Sequence, residues 1–172
     1  VEEPEGDLAR VAGLDGSAEN EHYCLALARA LGIPAAKSEV IRFDDRIAIV
    51  VERYDRVRSG KTVRRVHQED VCQALGLPPS SKYQNDGGPG VQTVVDLLRQ
   101  YSQNRDEDVR TFVHAQAFNW LVAGTDAHAK NYSFLLASDQ LRLAPLYDIA
   151  SALPYRVPER DLRLAMKLGN DY

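Results

Sequence analysis

The sequence has 172 residues and a formal net charge of −4, room for one domain or the larger part of a two-lobed one. Its 44% hydrophobic and 27% charged residues are ordinary for a globular chain with an adequate core. The acidic balance argues against a broad nucleic-acid-binding face, and no apolar run approaches the ~18 residues of a membrane span.

Val1 to about residue 18 is rich in Gly, Glu and Asp without periodicity and reads as loop. Ser17 or Asn20 is a candidate N-cap for a helix running through Leu31. Tyr23, Cys24, Leu27, Ala28 and Leu31 recur at three- and four-residue steps and predict its buried face. Gly32 and Pro34 end it. Ser38 to Phe43 then alternates as a strand, Asp44-Asp45 makes a turn, and the β-branched run Ile47 to Val51 predicts a buried strand. Residues 52–66 read as charged and irregular, with a turn at Gly60. Gln68 to Leu75 reads as a short helix, and residues 79–90 (PSSKYQNDGGPG) as loop. Val91 to Tyr101 predicts an amphipathic helix. Asp106 or Glu107 starts another, running to about Val122, apolar nearly all round and so expected to be the buried central helix. Tyr132 to Leu136 and Leu141 to Leu146 read as short strands, and a helical start is expected near Asp161.

The two cysteines, Cys24 and Cys72, sit inside helical, partly apolar patterns. They are expected as buried reduced thiols rather than a disulfide or metal site, in a reducing cytoplasm. The four histidines match no zinc-ligand spacing. The chain opens without Met, shows no signal peptide, and stops at MKLGNDY. Both ends are expected to be cuts from a longer protein.

The chemistry concentrates in LVAGTDAHAKNYSFLL (121–136) and LRLAPLYDIAS (141–151). The order is helix, Asp-x-x-x-x-Asn loop, strand, turn, strand, Asp. Phosphoryl transfer needs one carboxylate to orient the attacking hydroxyl and take its proton, plus an amide oxygen and a second carboxylate to hold Mg²⁺ against the ATP phosphates. The spacing matches a kinase catalytic loop. Asp126 is then the base, and Asn131 and Asp148 are the metal ligands. Singly, each reads better as structure: Asp126 as an N-cap or turn residue, Asn131 as a left-handed turn residue and Asp148 as a cap. It is the ordered set that favours chemistry. His128 is open between a phosphate contact and packing, and Lys130 between γ-phosphate neutralisation and an exposed surface lysine.

The stretches ENEHYCLALARALGIP, IAIVVERYDR, HQEDVCQALGLPPSSKYQNDGGPG, WLVAGTDAHAKNYSFLL and RLAPLYDIASALPY resemble the HipA-like serine/threonine kinases, toxins of bacterial toxin–antitoxin modules. The resemblance implies an α+β, protein-kinase-like fold. Residues 1–51 would be the end of the N-lobe, 52–56 the hinge and 57–172 the mostly helical catalytic C-lobe. It implies ATP and Mg²⁺ as cofactors. Asp126, His128 and Lys130 match catalytic-loop positions, and Asn131 and Asp148 match the Mg²⁺ ligands. Val51, Glu52, Arg53 and Tyr54 match the inter-lobe hinge that meets the adenine, and Gln68 matches a position near the nucleotide. The implied partners are a protein substrate, glutamyl-tRNA synthetase for the type member, and a HipB-like DNA-binding antitoxin, giving indirect DNA association and no membrane contact.

The sequence departs from the pattern of a whole kinase. No Gly-rich phosphate loop precedes the first helix, and Lys37 follows that helix instead of preceding it. The regulatory serine subdomain and the last helices are expected outside the sequence, so this portion alone is expected to be inactive. Two alternatives share the Asp126, Asn131 and Asp148 core or its fold: a small-molecule kinase, and a catalytically inactive subunit that bridges an antitoxin and DNA.

Overall fold

The computed structural model describes residues 15–137, 140–155, 157–158, 160 and 162–169. The loop expected over the first 14 residues and the helical start expected near Asp161 lie outside them.

Helix α1 spans Ser17–Ala30. Its cap is Gly16, not Ser17 or Asn20. Asn20, Cys24, Leu25 and Ala28 form its buried face, whereas the expected core residues Tyr23 and Leu31 are 66% and 61% exposed. A polar pin explains the rotation. The Asn20 amide donates to the Ser151 carbonyl at 2.8 Å and accepts from the Ser151 N–H at 3.0 Å. Satisfying that buried amide turns the helix toward the segment after Asp148.

Strands β1 (Ser38–Phe43) and β2 (Arg46–Val51) form an antiparallel hairpin pairing Ser38 with Val51. The β-branched run does not make β2 a buried strand. Ile47 and Val50, on opposite faces of β2, are both exposed, with Val40 and Phe43 of β1, because a two-stranded sheet packed against one helix leaves parts of both faces open. Residues 52–66 are more regular than charge alone suggests. They hold a second exposed hairpin, β3 (Arg56–Ser59) and β4 (Thr62–Arg65), turning at Gly60.

The expected helix at Gln68 is also corrected. His67–Asp70 is strand β5, and helix α2 is confined to Val71–Ala74. Cross-strand pairing wins over local helical pattern here, because β5 lies beside β6 (Ser133–Ala137), with Asp70 opposite Ser133. Strand β7 (Gln140–Leu143) completes an antiparallel β5-β6-β7 sheet.

Helices α3 (Val91–Tyr101) and α4 (Arg105–Leu121) pack together and onto β7. Their buried residues Val94, Leu98, Phe112, Ala115 and Phe118 join Leu25, Val71, Phe134 and Met166 in one core. Helix α4 buries a single face: Trp120 and Leu121 lie exposed. Both cysteines are free and buried, and burial pushes their thiols upward in pKa. The architecture is α+β. No helix among the described residues is long and apolar enough to cross a membrane.

Candidate active site

Helix α4 ends at Leu121, and its carbonyls are closed by the Val122 and Gly124 N–H groups. Gly124 packs directly on the Asn119 side chain, where a methyl group would fall 2.8 Å from Asn119 Oδ1. Asp126 follows in an exposed loop. A 3₁₀ turn over Ala129–Asn131 then leads into β6. The two apolar elements are fixed by the core, so they aim the polar loop between them.

Asn131 is buried. Its Nδ2 donates to Asp148 Oδ2 at 2.6 Å and to the Asp148 carbonyl at 3.1 Å. Its Oδ1 has no hydrogen-bond partner although it is buried. Asp148 is exposed and adopts φ 54°, a left-handed conformation that costs a non-glycine residue some strain. Asp126 and Asp148 meet across a small cavity of about 50 Å³, with Asn119 and Gly124 in its wall.

Asp148 also opens onto a larger cleft of about 490 Å³, with Glu21, Val51, Glu52, Arg53, Tyr54, Gln68 and Tyr147 in its wall. All the hinge residues expected from the sequence therefore surround one cleft with Gln68 and Asp148. Its volume is that of a cofactor-sized pocket. Gln68, on β5, carries a buried Oε1 without a partner. Tyr54 and Tyr147 stack obliquely at 5.7 Å. Asp55, buried and also in the wall of this cleft, accepts from Arg53 at 2.7 Å twice and from Arg56. The Arg53 hydrogen bonds hold its pKa down at about 2.

His128 and Lys130 each contact a neighbouring side chain. His128 is buried, its ring edge-on to Tyr83 at 5.1 Å, its Nδ1 unpartnered. Burial lowers its pKa and favours the neutral ring. Lys130 Nζ lies 2.6 Å from Asp70 Oδ2. Asp70 meanwhile caps α2, accepting from Gln73 N–H at 2.9 Å. Tyr147 Oη donates to the Lys130 carbonyl at 2.7 Å and contacts Ser133 Oγ at 2.5 Å.

Four contributors were missed in the sequence. Asn20 pins α1 to the Asp148 segment, Asp70 engages Lys130, Tyr83 donates to Asp126 Oδ1 at 2.5 Å, and Glu21 faces the cleft beside Asp148. Burial, then the Asp148 charge, raise the Glu21 pKa. The signal for Asn20 and Glu21 was the ENE triplet on a helix face. Nothing local distinguished Tyr83 or Asp70.

A buried amide oxygen without a protein partner, next to an exposed carboxylate, fits Mg²⁺, which takes one or two protein oxygens and completes its shell with phosphates and waters. Among the described residues, no group of three or more His, Cys, Asp or Glu converges as an all-side-chain metal cage.

Residues 5–172 match the family model of the HipA-like C-terminal domain. The chain belongs to that family. It is 41% identical over 160 residues to the protein Y4mE of Sinorhizobium fredii, covering 92% of this chain and 38% of that one. It is 34% identical over 160 residues to the serine/threonine-protein kinase toxin HipA of Shewanella oneidensis, covering 86% and 37%. The HipA-like domain thus spans well under half the length of these relatives. Among solved structures, Shewanella oneidensis HipA in complex with HipB and operator DNA superposes with a TM-score of 0.82 at 29% identity, covering 90% of this chain and 39% of that one. The Helicobacter pylori proinflammatory kinase CtkA superposes at 0.62 and 15% identity over 91% and 59%, a likeness of fold. The kinase-like α+β class expected from the sequence holds.

Proposed function

We propose that the parent of this HipA-like domain is an ATP- and Mg²⁺-dependent serine/threonine protein kinase. The observation that carries the reading is the Asn131–Asp148 pair, with its unpartnered amide oxygen, at the end of a cleft bounded by residues 51–54. In this reading residues 1–51 close one lobe, 52–56 form the hinge, and 57–172 form the catalytic lobe.

The hinge backbone, Glu52 and Tyr54 receive the adenine, and Gln68 Oε1 accepts from the nucleotide. Asn131 Oδ1 and Asp148 hold Mg²⁺, which when bound neutralises phosphate charge. Asp126 would orient the acceptor hydroxyl and take its proton as the hydroxyl oxygen attacks the γ-phosphorus, the bond from that phosphorus to the bridging oxygen breaking and ADP leaving. His128 and Lys130 hold the loop, the second through Asp70. A HipB-like antitoxin bound to operator DNA is the proposed partner, by analogy with the Shewanella complex.

The test is transfer of labelled γ-phosphate by the full-length parent, offered lysate proteins, purified glutamyl-tRNA synthetase and a metabolite panel. Protein labelling that disappears in Asp126→Asn supports the reading. Labelling of a metabolite alone would make it a small-molecule kinase. Mg²⁺-dependent nucleotide binding absent from calorimetry would leave a non-catalytic subunit.

A further inference from the structure

One contact has no part in the scheme above. Tyr83 lies between the two 3₁₀ turns of Pro79–Ser81 and Gln84–Asp86. Its phenol donates to Asp126 Oδ1 at 2.5 Å. An O–H donating to that carboxylate is what an acceptor serine or threonine would have to supply in the proposed kinase.

The backbone around Tyr83 is fixed. The Ala129 N–H donates to the Lys82 carbonyl at 3.1 Å and the Gly88 N–H to the Tyr83 carbonyl at 2.9 Å. Gln84, the next residue, is itself anchored, its Oε1 accepting from the Lys167 N–H at 2.8 Å. The ring is less constrained. It is half-buried, edge-on to His128 and under the Lys82 ammonium at 4.9 Å. Tyr83 also lines a cavity of about 250 Å³ with Asn85, Asp86, Thr125 and Arg163, a volume larger than a phenol ring. The phenol is held at its base by backbone hydrogen bonds, and its residue borders that cavity.

We propose that Tyr83 is the plug of the acceptor subsite: its hydroxyl stands where the acceptor hydroxyl must stand, occupies Asp126 Oδ1 in place of water, and swings into the neighbouring cavity when a protein substrate displaces it. The proposal rests on the kinase reading above. It explains how an exposed base could avoid wasting ATP. Water at Asp126 would give its proton to the carboxylate while its oxygen attacks the γ-phosphorus. The bond from that phosphorus to the bridging oxygen would break, and ADP and phosphate would leave.

Tyr83→Phe tests this in the full-length parent. It removes one oxygen and leaves a water-sized space against Asp126, while the ring contacts remain. ADP release without any protein acceptor is expected to rise severalfold over wild type. Calorimetric Mg-ATP affinity should stay the same, and Tyr83→Phe/Asp126→Asn should bring hydrolysis back below the wild-type rate. Tyr83→Ala, which removes the ring as well, should raise hydrolysis at least as far, guarding against an effect peculiar to Phe. Unchanged or lower hydrolysis in both single variants with normal Mg-ATP affinity would overturn the plug and leave Tyr83 a positioning residue for Asp126. Wild type failing to bind Mg-ATP would instead sink the kinase reading, and the plug with it.

Discussion

Asn131 Nδ2 lies 2.6 Å from Asp148 Oδ2, joining the end of the 3₁₀ turn before β6 to the segment after β7. That bond fixes the orientation of the amide. With Nδ2 committed, Oδ1 is left buried and unpaired, an arrangement that costs about 1–3 kcal/mol unless something arrives to satisfy it.

Asn131→Ala and Asp148→Asn should therefore separate folding from cation binding. Asn131→Ala removes both the orphaned oxygen and the donor to Asp148, so the apo protein should lose little stability. Transfer activity of the full-length parent should fall by at least ~10²-fold in either variant, since a phosphate-clamping cation supplies several kcal/mol and each 1.36 kcal/mol is tenfold. The discriminating measurement is the thermal shift produced by Mg-ATP, which should vanish while the shift from nucleotide in EDTA is unaffected. A full Mg²⁺-dependent shift in Asn131→Ala would remove that residue from the ligand set.

Tyr132 is a structural counterpart. Its buried Oη accepts from Gln116 Nε2 at 2.7 Å and from Asn119 Nδ2 at 2.8 Å, and its ring meets Phe112 edge-on at 5.0 Å. Burial drives its phenol pKa far above the usual value. Tyr132→Phe keeps the ring but strands two amide donors, so a loss of about 1–3 kcal/mol is expected in chemical denaturation. Because Asn119 walls the cavity between Asp126 and Asp148, transfer activity should fall as well. A variant as stable as wild type would show that water replaces the phenol.

The loop proposed to carry the chemistry was legible as a loop because its signals are local. Asp126, His128, Lys130 and Asn131 lie within one loop, and the apolar runs on either side announced a helix and a strand. Helix α3 and the first hairpin were legible for the same reason, since periodicity and turn residues act over a few positions. The errors share a different cause. Strand β5 has a helix-like sequence that is overruled by a partner sixty residues away. Helix α1 is rotated by the Asn20 contact with Ser151, 131 positions apart. Lys130 is held by Asp70, and Asp126 by Tyr83, across 60 and 43 positions. Such pairings leave no local pattern, and they determine which polar side chains are occupied and which are free.

Asp55 gives the segment between β2 and β3 a pH dependence. Its folded pKa of about 2 lies below the ordinary 3.8, so the unfolded chain binds a proton more readily than the folded one. The stabilisation is complete above about pH 4 and is lost as pH falls toward 2. Asp55→Asn should reduce stability by roughly 2 kcal/mol at pH 7, the order of a charge-assisted hydrogen-bond set. The gap from wild type should narrow as acid unfolding is followed below pH 4. A constant gap down to pH 2 would mean that the carboxylate is not held by Arg53 and Arg56 in solution.

Gly88 links loop chemistry to the plug. A methyl group there would overlap the Ser81 carbonyl oxygen and sit 2.6 Å from that of Tyr83. Both obstacles are backbone, so they cannot rotate away, and the loop carrying Tyr83 must move. Gly88→Ala should therefore lower stability by about 1–3 kcal/mol, the usual cost of overpacking, and should loosen the Tyr83 contact with Asp126. In the full-length parent it should raise acceptor-independent ATP hydrolysis in the direction of Tyr83→Phe, and adding Tyr83→Phe to it should give no further increase. Additive increases would mean that Gly88 acts on the site by another route. Lowered stability with hydrolysis at the wild-type rate would mean that the plug stays seated on a displaced loop.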